Sequence, residues 1–209
     1  MRGEGERCSA GSSGAAGPAA PFERAHHEEH HCCAPSCEAA VVPPRRVVLL
    51  NGPAGVGKTT IGRRLAERSR NGVCIEGDAL RNFVVSRDRH RPRGLAFRAA
   101  GALTDVYLDA GFELVLFDFV FEGEHHLEPF RRSVSAGTAV QVVTLWAPLS
   151  VVTAREAARP GRARLGARVE ECWSSIQRNL DALGAVVPAA GAVDDVVREV
   201  ERAIDDSPQ

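Results

Sequence analysis

Val47-Val48-Leu49-Leu50-Asn51-Gly52-Pro53-Ala54-Gly55-Val56-Gly57-Lys58-Thr59-Thr60 decides the fold of this chain. Val47 to Leu50 is an apolar run long enough for a strand buried on both faces. It runs straight into Gly52–Thr59, which fits G-x-x-x-x-G-K-[ST], a phosphate-cradling loop. Thr59 to Ser69 then predicts a helix, with Ile61, Leu65 and Ala66 on one face. Strand, loop and helix together are the context this loop needs. Its amides and the helix N-terminus bind phosphate oxygens. Gly52, Pro53, Ala54, Gly55, Val56, Gly57, Lys58, Thr59 and Thr60 are therefore the expected nucleotide-binding residues. Lys58 is expected to reach the β- and γ-phosphates, and the Thr59 hydroxyl to ligate Mg²⁺.

Composition isolates the same residue. Of 26 lysines and arginines, Lys58 is the one lysine. Scarce Met and Tyr fit a GC-rich coding sequence that turns lysine into arginine. The exception stands where a compact ammonium must enter a ring of backbone amides, a task a planar guanidinium does not fulfil. The same bias makes arginine clusters elsewhere in the chain less informative.

Outward from the loop, strands and helices alternate. Val73–Ile75, Glu113–Phe117, Val140–Leu145 and Ala185–Val187 predict four more strands. Leu95–Ala110, Ser150–Arg159, Arg168–Leu183 and Val193–Ile204 predict helices, the first ended by Gly111. Such alternation implies a three-layer α/β fold, a five-stranded parallel sheet with helices on both faces. Ser133 to Ala154 carries no charge over 22 residues. Its Ser, Thr, Gln and Gly content reads as loop, strand and helix start rather than as a membrane span.

The 209 residues predict one domain, over residues 45–206, behind a tail of residues 1–44. The tail is rich in Gly, Ala, Ser, Pro and His without apolar periodicity, so disorder is the expectation there. A translation start near Val41 would also account for it. His26, His27, His30, His31, Cys32, Cys33 and Cys37 are metal-capable, but their spacing matches no structural zinc pattern. Residues 1–20 lack an apolar core segment, which points to a cytoplasmic protein. Six cysteines in such a chain are expected as free thiols. A net charge of −1 gives no general reason to expect nucleic acid or an anionic membrane as partner.

Further candidates lie at strand ends. Glu76 and Asp78 follow the second strand, and alternation along an extended segment would put both on one side. Open α/β sheets bind ligands at this edge. There Asp78 suits the task of accepting the proton of a hydroxyl that attacks the γ-phosphate, and equally suits a helix N-cap. Asp118 after Leu114–Phe117 has the form of a strand whose carboxylate holds Mg²⁺. Phe119, Phe121, Glu122, His125 and His126 follow as candidate lining of an acceptor pocket. A packed loop with solvent-facing histidines is the competing reading. Arg155, Arg159, Arg162 and Arg164 form a basic cluster, with Arg155 and Arg159 on one helix face. Arg87, Arg89, Arg91, Arg93 and Arg98 form a second, which reads equally as an exposed charged loop.

Gly52-x-x-Gly55-x-Gly57-Lys58-Thr59 followed by Glu76-Gly77-Asp78-x-x-Arg81 resembles the P-loop small-molecule kinases. Adenylylsulfate kinase, gluconate kinase and chloramphenicol phosphotransferase are similar in pattern, and the group includes ATP-binding proteins of the AAA label. The resemblance spans about residues 46–205. It implies the P-loop NTPase fold and ATP with Mg²⁺. It also implies transfer of the γ-phosphate to a hydroxyl of a small molecule. In that group the residue matching Asp78 contacts or deprotonates the acceptor, and the one matching Arg81 often holds an anionic substrate. Lys58, Asp78, Arg155 and Arg159 are the implied catalytic residues, the two arginines as part of a lid over the phosphates. Asp78, Arg81 and Glu122 are the implied substrate contacts, and Thr59, Asp118 and Glu76 the implied metal set. Glu76 stands where the group often has aspartate. Ala189-Ala190-Gly191-Ala192 matches the place of the adenine-contacting loop.

A nucleotide or polynucleotide kinase shares this machinery and differs in acceptor. An ATPase without a small-molecule acceptor is the remaining alternative. A guanine-specific switch needs Asn-Lys-x-Asp, and the chain has no second lysine. A ring-forming mechanical ATPase needs an Asp-Glu pair, whereas Phe119 follows Asp118.

Overall fold

A computed structural model describes residues 45–85, 94–161 and 164–206. All belong to the unit Val42–Gln209, one of two into which the chain divides. The tail with its Cys/His cluster, the arginines at 87, 89, 91 and 93, and Arg162 lie outside the described residues.

Five strands form one sheet: β1 (Arg46–Asn51), β2 (Gly72–Glu76), β3 (Leu114–Asp118), β4 (Val140–Trp146) and β5 (Ala185–Pro188). Their order is β2-β3-β1-β4-β5, and every pairing is parallel. Helices α1 (Lys58–Arg68), α2 (Gly77–Asn82), α3 (Leu95–Asp109), α4 (Glu128–Arg131), α5 (Leu149–Ala157), α6 (Arg168–Arg178) and α7 (Val193–Asp205) connect them. This is the P-loop NTPase arrangement expected from the sequence.

Alternation along the strands builds two cores. Val48, Leu50 and Leu116 face one side, packed with Ile61 and Leu65 of α1 and with Val196, Val197, Val200 and Ile204 of α7. Val47, Leu49, Val115 and Phe117 face the other, packed with Phe97 and Leu108 of α3, Phe130 of α4 and Ile176 of α6. A parallel sheet is stable only when both faces are covered in this way. β1 is central, with β3 on one side and β4 on the other. The chain order reverses across β1, and the glycine loop leaves from its carboxyl end, where such sheets bind ligands.

Three local features depart from the sequence reading. The helix expected over 168–183 ends at Arg178, and a 3-10 turn follows over Leu180–Ala182. Asn179 causes the break: its side-chain amide donates to Ser175 O at 2.9 Å and to Glu122 O at 2.8 Å. An asparagine amide offers the backbone such an alternative to the helical ladder. Helix α2 begins directly at Gly77, so strand alternation stops at Glu76 and does not carry Asp78 with it. The loop after β3 contains a 3-10 turn over Glu124–His126 and then α4. The uncharged stretch from Ser133 divides into turn, β4 and the start of α5, and no helix among the described residues is long and apolar enough to cross a membrane. Cys74 and Cys172, the two described cysteines, are free thiols.

Candidate active site

The glycine loop is packed from below and open above. Gly55 has φ +85°, and a side chain there would strike the Val152 carbonyl of α5. Only glycine satisfies both limits. Ala54, Gly55, Gly57, Lys58, Thr59 and Thr60 line a cavity of about 790 Å³. Val56 is buried behind the loop, and the Lys58 ammonium donates to the carbonyls of Gly52 at 2.7 Å and Pro53 at 3.1 Å. Lys58 is thereby stapled into the turn it serves. Burial lowers its pKa, and Asp118 is the strongest of the groups that oppose this.

Asp118 closes β3 one strand away, in register with Leu50 and with Glu76. It is 4% exposed. Burial raises its pKa, and the hydrogen bond from the Thr59 hydroxyl and the charge of Lys58 act against that rise. Its Oδ2 is buried without a hydrogen-bond partner, an expensive condition for a carboxylate oxygen. A divalent cation would answer that orphaned oxygen, so Thr59 and Asp118 fit a Mg²⁺ site. Among the described residues no group of three His, Cys, Asp or Glu side chains could hold a metal ion. Mg²⁺ does not require one, because it retains waters and binds through one or two protein groups and substrate phosphates.

The other expected residues divide. Asp78, Arg81, Glu122 and Arg159 line the same cavity as Lys58. Asp78 lies in the first turn of α2, where its charge also suits the helix dipole, and the N-cap position belongs to Glu76. Glu76 is not on the cavity wall; its carboxylate takes the Arg63 guanidinium, with Nε–Oε1 at 2.6 Å. Phe119 and His126 are on the wall, whereas Phe121 is fully buried in the core and His125 is exposed away from it. Arg164 is exposed and off the wall.

Arg155 has a different setting from that of a free lid arginine. Its guanidinium donates to Val56 O at 3.2 Å, Ala189 O at 2.7 Å and Ala190 O at 3.0 Å. One side chain thus joins the phosphate loop to the turn between β5 and α7. With Ala189 and Gly191 it also lines a smaller recess of about 200 Å³ behind Gly57 and Thr60. Next to it, the Glu156 carboxylate is buried and accepts the Leu165 N–H at 2.9 Å, tethering the far end of the segment that carries Arg159.

Several site residues escaped the sequence reading. Asn51 is fully buried. It donates to Thr144 Oγ1 at 3.1 Å, and its Oδ1 accepts the Phe121 N–H at 2.8 Å. It therefore fixes the loop that bears Phe119 and Glu122 to the end of β1. Arg168 and Cys172 of α6 line the cavity. Burial raises the Cys172 pKa, while the Ala54 N–H bonded to its sulfur acts the other way. Their sequence signal was no more than a helix; which face meets the loop depends on packing. Phe97 reaches the wall from α3 by the same route.

A family model described as an AAA domain matches residues 47–183. No curated protein sequence matches the chain. Among solved structures, a sugar kinase from Janibacter sp. HTCC2649 is similar at 20% identity and a TM-score of 0.55, over 79% of this chain and 97% of that one. A gluconokinase from Sinorhizobium meliloti 1021 is similar at 22% identity and a TM-score of 0.53, over 78% and 93%. The tunicamycin resistance protein of Deinococcus radiodurans is similar at 22% identity and a TM-score of 0.55, over 76% and 95%.

Proposed function

From the AAA domain family, to which this chain belongs, we propose that it is an ATP-dependent phosphotransferase acting on a hydroxyl of a small molecule. One observation carries the reading. Asp78, Lys58, Asp118 and Thr59 face a single cavity, and that cavity extends past the phosphate loop to an apolar wall from α2, α3 and the loop after β3. A nucleotide-hydrolysing site alone has no use for that extension. Two structural neighbours, a sugar kinase and a gluconokinase, support the same class.

The residues divide the work as follows. Amides of Gly55 to Thr59 and the start of α1 bind the phosphates. Lys58 exchanges a loop carbonyl for phosphate oxygens. Thr59 and Asp118 would hold Mg²⁺, which when bound neutralises charge on the phosphates. The base is assigned to the recess beside Arg155, Ala189 and Gly191. Asp78 takes the proton of the acceptor hydroxyl as its oxygen bonds to the γ-phosphorus; the bond from that phosphorus to the β-bridging oxygen breaks, and ADP leaves. Arg159 neutralises charge on the transferring oxygens, and Arg155 holds the phosphate and base loops in register. Most of the rate enhancement is positioning, because the reaction leaves little covalent work to the protein.

The test is acceptor-dependent ADP formation from labelled ATP. Lys58→Ala is expected to lose transfer by 10²-fold or more, on the order seen for one electrostatic contact to a developing charge, with an unchanged circular dichroism spectrum. Asp78→Asn is expected to lose transfer and keep ATP binding. Wild-type turnover in Lys58→Ala, or joint loss of ATP binding and turnover in Asp78→Asn, would overturn the assignment.

A further inference from the structure

The acceptor end of the cavity has a defined chemistry. Leu80, Val84, Leu95, Phe97, Phe119 and Val120 supply its apolar surface. The aromatic part is fixed before any ligand arrives. Phe119 meets the Phe97 ring edge-on, centroids 5.2 Å apart at 80°, and lies parallel to Phe117 at 6.0 Å. Gly77 allows this: a Cβ there would come within 2.8 Å of Phe119 Cγ, so any larger residue would push the ring from its place. A rigid ring wall binds flat apolar surface at little ordering cost.

The polar groups at this end are already matched in charge. Arg81 lies 3.8 Å from Asp78 and 5.9 Å above the Phe119 ring. Arg168 lies 3.2 Å from Glu122 and 3.2 Å from Glu171. Arg81 and Arg168, described arginines at this end, each face a carboxylate. An anionic acceptor held by either arginine would lie beside Asp78 or Glu122, like charge against like. Hydroxyls meet no such obstacle, because both carboxylates accept hydrogen bonds from them. His126 completes the set. Its Nδ1 accepts the Glu122 N–H at 3.1 Å, which leaves Nε2 to carry the proton of the neutral ring and donate it.

We infer that the acceptor is an uncharged, hydroxyl-bearing molecule with a ring or other flat apolar face, seated against the Phe97–Phe119 wall with hydroxyls toward Asp78, Glu122 and His126. This departs from the resemblance, in which the residue matching Arg81 often holds an anion. It rests on the phosphotransferase reading, and the experiment separates the two.

Binding to the full chain is measured by calorimetry in the presence of Mg²⁺ and a non-hydrolysable ATP analogue. The neutral probes are phenyl β-glucoside and uridine; the anionic probes are shikimate, gluconate and uridine 5′-monophosphate. At least one neutral probe is expected to bind tenfold or more tighter than every anion. Phe119→Ala is expected to weaken that binding at least tenfold and to change affinity for the analogue less than twofold. Phe119→Leu, which keeps the core filled, is expected to fold as wild type and weaken it by a smaller factor. Glu122→Gln is expected to narrow the gap between neutral and anionic probes by removing one of the two carboxylates that face Arg168. Tighter binding of an anion, no binding of a neutral probe by protein that binds the analogue, or unchanged affinity in both Phe119 variants would each overturn the inference. Neutral probes that bind as expected but never stimulate ADP release from ATP would instead sink the phosphotransferase reading and support the pocket chemistry.

Discussion

Asp118 shows most clearly how one residue divides stability from function. Burial raises its carboxyl pKa above the ordinary 3.8, so the folded protein holds this proton more tightly than the unfolded chain. The sign follows from linkage. Between 3.8 and the folded value the native state binds more protons, and stability falls as pH rises through that window. At neutral pH the buried carboxylate is therefore a cost carried by the fold. Asp118→Asn is expected to leave the melting temperature at pH 7 equal to wild type or higher. It is also expected to abolish the extra stabilisation given by Mg²⁺ with ATP over ATP alone. Thermal melts with and without Mg²⁺ and ATP measure both. Acidification of the wild-type protein should weaken the Mg²⁺-dependent part first at a pH above 3.8, as the carboxyl protonates. Asp118 was readable in the sequence because four apolar residues precede it. Asn51 was not, although it too ends a strand. Its importance lies in Thr144 and Phe121, distant in sequence, and no local pattern joins them.

At the scale of elements, the end of α5 links three loops. Arg155 ties the phosphate loop to the β5–α7 turn, and Glu156 ties α5 to the return segment at Leu165. Arg155→Ala removes a cation from three carbonyls. It is expected to cost about 1.5–3 kcal/mol, the usual worth of a charged hydrogen bond, and to raise KM for ATP more than it lowers kcat. Denaturant titration and steady-state kinetics test the two halves. Helix α4 has four residues and little stability of its own. Phe130 anchors it, fully buried and parallel to Phe117 at 5.5 Å. Phe130→Ala is expected to lower unfolding free energy by about 3–5 kcal/mol, with an unchanged denaturant m-value. Long periodic elements such as α7 and the apolar strands were legible in the sequence, because their pattern repeats. Helix α2 was legible only through Asp78 as a helix cap, two residues from the observed cap at Glu76, and α4 was not. One is a short turn that starts where a strand stops, and the other is held by a single aromatic side chain.

At the scale of the molecule, the described residues from Val47 to Ile204 build a core on either face of the sheet. The chain divides after Val41, and a chain lacking residues 1–40 is expected to keep its melting temperature within a few degrees and its acceptor-dependent turnover; an unfolded or inactive truncation would refute that. Lys58, Thr59 and the glycines were decided by sequence alone. A phosphate loop needs fixed residue types at fixed spacing, and its partner atoms are its own backbone. The parallel sheet followed from alternating apolar runs and helical periods, which are also local. What only the tertiary structure decided was the company these residues keep. It brought Asp78 to the cavity from the first turn of a helix and turned Glu76 to Arg63. It committed Arg155 to three carbonyls, and it set Phe97, Arg168 and Cys172 from two helices on one wall. Those outcomes depend on which helix faces meet across the sheet edge, a matter of packing between segments far apart in the chain. Short-range periodicity carries no record of it.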